Sequence, residues 1–563
     1  MKPSERKARQ RFWQSSILLS LFLFLLLLTL NACTGNLPQQ QAASQAKAEL
    51  DSLIAQARSV GVPQTLLSPI QDQETQLSSS RAPVSFFSDQ PLVQYYENLT
   101  QRYQQLCTQV EGLTAQVTDE FDYQAWQDLQ DYASVLSERQ AQGFAEAQPF
   151  QNRLTQLQTS FNRAKLPRDY QQISNQARQD TQALRLMATA SSQMQALDQV
   201  IAQLQASHLD TTPLKQLRQA DQQRFQTAQT PADFQGLIST INAQFTQAVV
   251  LSTQAIPYVG AAKLKQFSDY ITQAQQYGQD VSTFQQRLTA DQHALDQAQS
   301  IGDYLQVSSQ IDNDIAAIQL TVYRGKANYL LQQFHTEVKN WGATHKYHGY
   351  ELDFEYMDQG IGSDADYLVQ TAQSVDDYQA AIDFINRSMT LLQAMEADYN
   401  DQTPYNQAHN TDLQLMERYG FMQGEVMVVS LVEQVLRLYN NGQLVRAFYV
   451  TTGQYMRPSP PGIYHIFDRE SPTIFKSSEP KGSAFWYPDT KINYAMAYRQ
   501  DGYFIHDSWW RADYGPGTEF PHYDSGGDEE FAGNGSHGCV NMQEDQAGWL
   551  YNHTTYGTPL IIY

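Results

Sequence analysis

Near the end of the chain the sequence GNGSHGCVN (Gly533–Asn541) places a cysteine between a glycine and a valine, beside a histidine, in a polar loop. A buried structural cysteine normally sits among apolar neighbours in a helix or strand, and this one does not. A cysteine nucleophile needs a base or imidazolium partner, donors for an oxyanion and access for a substrate. Gly535 and Gly538 let the backbone approach a reacting carbonyl closely, and N–H groups around His537–Cys539 can converge on one oxygen. A helix starting a few residues after Cys539 would favour thiolate through its positive end. Three histidines are candidates for the base. His506 ends an expected strand, YFIH; His522 lies in a Pro- and Asp-rich loop that reads as surface; His537 is two residues from the thiol.

Two other chemistries fit these residues poorly. Gly533-x-Gly535-x-x-Gly538 has the spacing of a dinucleotide fingerprint, but no strand leads into it and only 25 residues follow Gly538. His506, His522, His537 and Cys539 lack the paired spacings of zinc ligands, so neither a metal nor a cofactor is expected.

The elements that must position the thiol are β-rich. VMVVSLVEQVLRLY (Val426–Tyr439) has strand composition, Asn440-Asn441-Gly442 supplies a tight turn, and QLVRAFYVTTG returns as a second strand. Pro458–Gly462 reads as a rigid loop into IYHIF. Further strands are expected at 493–498, 503–506 and 559–563, with one helix over 544–552.

At these residues the sequence resembles the L,D-transpeptidase catalytic domain, the YkuD family, over about residues 425–563. The residues that carry the likeness are His506 at a strand end, Ser536-His537-Gly538-Cys539-Val540-Asn541, the GQLVRAFYVTTG strand, the PSPPGIYHI loop and the closing GTPLIIY. The resemblance implies a two-step acyl transfer on peptidoglycan stem peptides, with Cys539 as nucleophile and His506 as base. It implies that a carbonyl at Asp507 orients the imidazole, and that Gly538 and Cys539 N–H groups form the oxyanion hole. Ser536, His537 and Asn541 would shape the loop and hold the stem; Tyr494, Trp509 and Trp510 are candidates for the groove wall. Two features depart from the family pattern. Asp507 stands where glycine usually follows the histidine, and its carboxylate is expected to raise the pKa of His506. The 31 residues from His506 to His537 include an acidic, aromatic insert over 509–531, which reads either as a lid over the site or as a lengthened loop. Water in place of an amine would make the same residues an L,D-carboxypeptidase. A sortase-like transpeptidase also uses His and Cys but fits the SHGCVN string poorly.

The rest of the chain is unlike this domain. From about Ala43 to Met416 it is rich in Gln, Ala, Leu, Asp and Ser, with apolar residues at three- and four-residue steps, as in Leu197, Ile201 and Leu204. An Ala-x(4)-Asp-aromatic step recurs at Ala164–Tyr170, Ala228–Phe234, Ala298–Tyr304 and Ala372–Tyr378, with a weaker copy at Phe121-Asp122-Tyr123. Each step reads as a capped helix start, and a unit of two antiparallel helices of 25–30 residues is expected to fill the 64–74-residue period. The aromatic residues read as packing contacts, and the region as a rod, spacer or surface for envelope protein partners. A non-catalytic envelope scaffold built on these repeats is the rival to the enzyme.

The N-terminus opens with Lys2, Arg6, Lys7, Arg9 and Arg11 and an aliphatic run over Ile17–Leu30, too short to span a membrane and suited to an export signal. Leu30-Asn31-Ala32-Cys33 resembles a lipoprotein lipobox, in which Cys33 is lipidated; an uncleaved anchor is the alternative. Either reading places the protein outside the cytoplasmic membrane of a bacterium, held to its outer face. Loss of residues 1–32, with five basic groups and one acidic group, takes the formal charge from −22 to −26. Such a surface argues against nucleic acid as a partner. Cys107 lies in a helical stretch and reads as a core residue, which leaves Cys539 as a free thiol. The expected architecture is therefore multidomain: 1–33 signal or anchor, 34–48 linker, 49–420 all-α helical-hairpin repeats, and 421–563 a β-rich catalytic domain.

Overall fold

The computed structural model describes residues 37–84 and 89–563. The signal-like segment and Cys33 lie outside the described residues. Among those described, no helix is long and apolar enough to cross a membrane.

The chain divides into two compact units, one ending at Ala125 and including Arg163–Ser174, the other comprising Trp126–Asn162 and Asn175–Tyr563. The first contains α1 (Pro38–Ser59), α2 (Gln64–Ser79) and the start of α3 (Gln90–Ala141). Leu50, Ile54, Leu67, Ile70, Tyr103, Leu106 and Val110 recur at helical spacing and make its core. Cys107 is a buried free thiol there, pushed up to about 11 by burial.

The second unit continues the helices: α4 (Gln148–Phe161), α5 (Pro167–Ala206), α6 (Thr212–Thr227), α7 (Pro231–Leu251), α8 (Ile256–Gln276), α9 (Ser282–Gln297) and α10 (Ile301–Thr344). After a small hairpin, β1 (Lys346–Tyr347) and β2 (Tyr350–Glu351), come α11 (Ile361–Thr371), α12 (Val375–Tyr399) and α13 (Asn410–Arg418). The recurring step is a helix start. Thr230 with Asp233, Ser300 with Asp303 and Ser374 with Asp377 each form a reciprocal capping box. Asp169 similarly accepts the Leu166 N–H at 3.3 Å. The aromatic residue that follows is buried each time, at Tyr170, Phe234, Tyr304 and Tyr378. These residues pack.

The unit differs from the equal pair expected from the sequence. Helices of 16 residues (α6, α9) alternate with capped helices as long as 44 residues (α10), and the α7–α8 copy is one such long helix broken at Ser252 and Pro257. Phe121-Asp122-Tyr123 lies inside α3 and starts nothing. Thr118, just upstream, bonds back to the Thr114 carbonyl within the helix instead of capping a start.

Two sheets follow. The first has the order β5-β4-β3-β13-β6, from β3 (Glu425–Ser430), β4 (Val435–Asn440), β5 (Gln443–Tyr449), β6 (Gly462–His465) and β13 (Pro559–Ile562). The run expected as one strand over 426–439 is two strands, reversed at a turn where Gln434 takes φ 53°. The second has the order β12-β11-β10-β7, from β7 (Asp468–Glu470), β10 (Ala495–Arg499), β11 (Tyr503–Asp507) and β12 (Val540–Met542). A separate hairpin pairs β8 (Thr473–Phe475) with β9 (Thr490–Ile492). Inward residues of both sheets (Met427, Val429, Leu436, Leu438, Met496, Ile505, Val540, Leu560) share one core with Ala547 and Leu550 of α14 (Glu544–His553). Helical residues reach this domain directly. The Trp126 indole donates to the Ile463 carbonyl at 2.8 Å and stacks on Phe421.

Candidate active site

Strand alternation brings the sequence-separated residues together. β11 and β12 run parallel, with Ile505 opposite Val540, His506 opposite Asn541 and Asp507 opposite Met542. Ile505, Val540 and Met542 point into the core, so His506 and Asn541 project from the other face. Cys539, two residues before Asn541, falls on the side of His506.

His506 is 3% exposed. Its Nδ1–H donates to the Asp507 carbonyl at 2.8 Å, and its Nε2 accepts from Asn541 Nδ2 at 3.0 Å. Burial pulls its pKa down to about 4, against the Asp507 hydrogen bond and with help from the charge on Arg511. The imidazole is therefore neutral at neutral pH. This reverses the expected effect of Asp507. By alternation its carboxylate lies on the core side, where it accepts the Tyr494 N–H at 2.6 Å; only its backbone carbonyl meets the imidazole.

Cys539 is half-buried, and its thiol is pushed up to about 12 by burial. Its hydrogen-bond partner is the Gly502 carbonyl, at 3.8 Å. Thiol and imidazole are thus both neutral and engaged with other groups.

The loop that presents the thiol is folded by its own hydroxyl. Ser536 Oγ accepts the Gly538 N–H at 3.0 Å and donates to the Cys539 carbonyl. Of the two oxyanion donors expected, the Gly538 N–H is therefore already used within the loop. Gly538 has φ +112°, and a Cβ there would lie 2.4 Å from the Tyr503 ring, so both backbone and space demand glycine. Its carbonyl accepts from Ser459 Oγ (2.7 Å) and the Tyr498 hydroxyl (3.3 Å). Backbone pairs Thr451–Asn541 and Gly453–Ser536 hold the loop from the other side. Sequence reasoning missed Ser459, Tyr498 and Tyr503 as supports. Their signal is faint, because each is an ordinary residue until the fold brings it to the loop.

The remaining expected residues divide. His537 faces Phe485 and Tyr487, each 5.7 Å between ring centres. Trp510 stands 6.0 Å from the His506 ring, and Trp509 is 62% exposed. Tyr494 packs against Tyr551 and Gly548 of α14. The β8–β9 hairpin and the start of the 509–531 insert both bring aromatic rings beside His506. Phe475 lies 4.7 Å from Phe504 and 5.0 Å from His506, and Tyr487 interacts with Cys539. Beyond Trp510 the insert is bonded to the thiol loop, with the His522 N–H donating to the Gly533 carbonyl at 3.0 Å and Arg511 to the Asn534 carbonyl at 3.1 Å. Asp524 accepts the Ala512, Asp513 and Gly526 N–H groups, and Phe520 lies among Tyr347, Tyr350 and Phe354. His522 is in this segment, near Asp513 and Asp524.

A strand histidine bonded to a backbone carbonyl and a cysteine in the loop leading to β12 thus lie on one side of the sheet. Residues 424–562 match the YkuD family, the L,D-transpeptidase catalytic domain. The C-terminal part of this chain is such a domain. L,D-transpeptidase 1 of Mycobacterium tuberculosis is 27% identical over 146 residues, 25% of this chain and 52% of the relative. The chain thus spans about half the length of that relative. Among solved structures, the catalytic domain of an Enterococcus faecium L,D-transpeptidase is 24% identical (TM-score 0.20, 25% of this chain, 98% of that one). L,D-transpeptidase 3 of M. tuberculosis, solved with a faropenem-derived adduct, is 20% identical (TM-score 0.20, 25% and 60%).

Proposed function

We propose that the protein is a cysteine-dependent L,D-transpeptidase that forms 3→3 cross-links between peptidoglycan stem peptides. What carries the reading is the register of β11 and β12, which puts Cys539 and His506 on one face within the family-matched region. Cys539 Sγ attacks the carbonyl of the third residue of a donor tetrapeptide. The C–S bond forms, the amide C–N bond breaks, and the thiol proton passes through His506 Nε2 to the departing D-alanine amine. An acceptor amine then attacks the thioester; a new C–N bond forms, C–S breaks, and the amine's proton returns through His506 to the thiolate. For this, Nε2 must exchange Asn541 for the thiol when substrate enters. The Ser536, Gly538 and Asn541 contacts hold the loop in shape.

In this reading Cys33 or the preceding apolar run fixes the exported chain at the membrane. Residues 49–420 then carry the domain at 421–563 toward the wall.

The test is to incubate the full-length protein with a stem tetrapeptide and follow products by mass spectrometry, beside Cys539→Ala and His506→Ala. Release of D-alanine together with a dimer is expected from the parent and from neither variant. Release without dimer would mean a carboxypeptidase, and no release would overturn the reading. A single faropenem-derived adduct on the parent and none on Cys539→Ala would locate the reactive thiol.

A further inference from the structure

The chain has 59 acidic against 37 basic residues, yet the donor in the transpeptidase reading is itself anionic. A surface of this sign repels such a substrate unless a local cation receives it. Three guanidinium groups lie around the thiol loop. Arg511 is 6% exposed and donates to the Asn534 carbonyl. Arg499 is tied to Asp501 at 3.1 Å and faces Asp364 at 3.9 Å. Arg457 differs: its side chain is 44% exposed and its charged partner is one carboxylate, Glu479, at 2.6 Å.

Arg457 is also well placed. Its guanidinium lies 4.5 Å from the centre of the Phe485 ring, which faces His537 of the thiol loop. Its charge acts on His537 and on Tyr503, and Tyr503 also interacts with Cys539. Its backbone is fixed to the catalytic loop: the Arg457 N–H donates to the Gln454 carbonyl at 2.8 Å, and the Gln454 N–H donates to the Ser536 carbonyl at 2.9 Å. Glu479, by contrast, belongs to the β8–β9 hairpin, whose Phe475 and Phe485 lie beside His506 and His537. The pair therefore ties the hairpin to the loop through an ion pair whose anionic half a substrate can replace.

We propose that Arg457 binds a carboxylate of the donor peptide next to the scissile bond, and that Glu479 occupies this position until the donor displaces it. The inference rests on the transpeptidase reading. Exchange of one carboxylate for another keeps the guanidinium paired throughout, and its planar fork suits two-point carboxylate binding. Two carboxylates of a donor qualify: the terminal one of the departing residue, and one on the third side chain where that residue is a diacid.

The test uses the full-length protein with three donors: the free peptide, its C-terminal amide, and the peptide amidated on the third side chain. For the parent, amidating the recognised carboxylate should lower kcat/KM by roughly tenfold to a hundredfold, and the donor that suffers identifies the source. Arg457→Ala should handle all three donors alike, Arg457→Lys should retain part of the discrimination, and Glu479→Ala should lower KM only for the donors that keep the recognised carboxylate. Parental alkylation of Cys539 by iodoacetamide marks an intact site in each variant. A parent that cleaves all three donors equally, or an Arg457→Ala protein that keeps the amide penalty, overturns this assignment alone. A parent that cleaves none overturns the transpeptidase reading and this assignment with it.

Discussion

Both C-terminal sheets carry buried ionisable side chains on the face turned away from their shared core, and they treat charge oppositely. On the five-stranded sheet the charges are kept and paired. Arg437 is fully buried, bonded to Asp412 at 2.6 Å and to Glu433; Tyr439 and Tyr563 each donate to Asp412 at 2.6 Å. Burial pulls the guanidinium down, but Asp412, Tyr563 and Glu433 outweigh it and hold it above its ordinary range. Nearby, Asp398 receives Ser430 Oγ at 2.6 Å and His409 Nδ1 at 2.8 Å. On the four-stranded sheet charge is suppressed: His506 is held near 4 and the Cys539 thiol near 12, both by burial. A network of complete ion pairs serves to join strands to helices α12 and α13. Two neutral groups on a strand edge are suited to exchange a proton when a substrate changes their surroundings.

The sharpest way to break the paired side is Arg437→Ala. It strands Asp412 and Glu433 without their cation and should cost about 3–5 kcal/mol in denaturant unfolding. If the loss is under about 1 kcal/mol, the network is not what joins strands to helices. On the suppressed side, Gly538→Ala forces a side chain into φ +112° and against Tyr503. A cost of about 1–3 kcal/mol is expected, together with loss of peptide cleavage.

The two sides should also separate by pH. His506 has a folded pKa near 4 against an ordinary 6.5. Its contribution to stability is complete above about 6.5 and is lost as pH falls toward 4. As a base it stays available down to about pH 4, so the acidic limb of kcat/KM should lie there and not near 6.5. A third place tests the opposite sign. Glu519 of the insert, 3% exposed, faces Glu355 near the β1–β2 hairpin, and burial pushes it from 4.5 up to about 8. Its contribution is complete below about 4.5 and is lost as pH rises to 8. The Glu519 contribution to melting temperature should therefore fall between pH 5 and pH 8, and Glu519→Gln should remove that component of the profile. The smallest effect expected is for Ser459→Ala, which removes one hydroxyl that accepts from Gly453 and donates to Gly538. A loss of about 1 kcal/mol is expected, with a larger proportional loss of acylation rate if the loop is what it supports.

Several features were legible in the chain because they are local. Three helix starts were readable from Asp and its capping Ser or Thr, since a capping box spans only four residues, and a fourth from Pro167 and Asp169. The Asn441-Gly442 turn and the closing strand were readable from turn chemistry and alternation. Residue type and setting marked the Cys539 loop and left His506, His522 and His537 as candidate bases; only the family resemblance singled out His506. What the chain could not disclose is which face each residue takes once strands pair. The carboxylate of Asp507 turns to the core because its neighbour His506 turns out, a consequence of period-two alternation fixed by the β11–β12 register. The neighbours of the site were hidden for a related reason. Phe475 and Tyr487 lie more than 50 residues from Cys539 in sequence, and the β8–β9 hairpin brings Phe475 to 5.0 Å from the His506 ring. The insert bonds the thiol loop through His522 and Arg511, while its Phe520 finds apolar partners on the β1–β2 hairpin and Phe354. Local sequence determined the parts and the reactive residue types; long-range burial decided which neutral groups meet, and which charges stay paired.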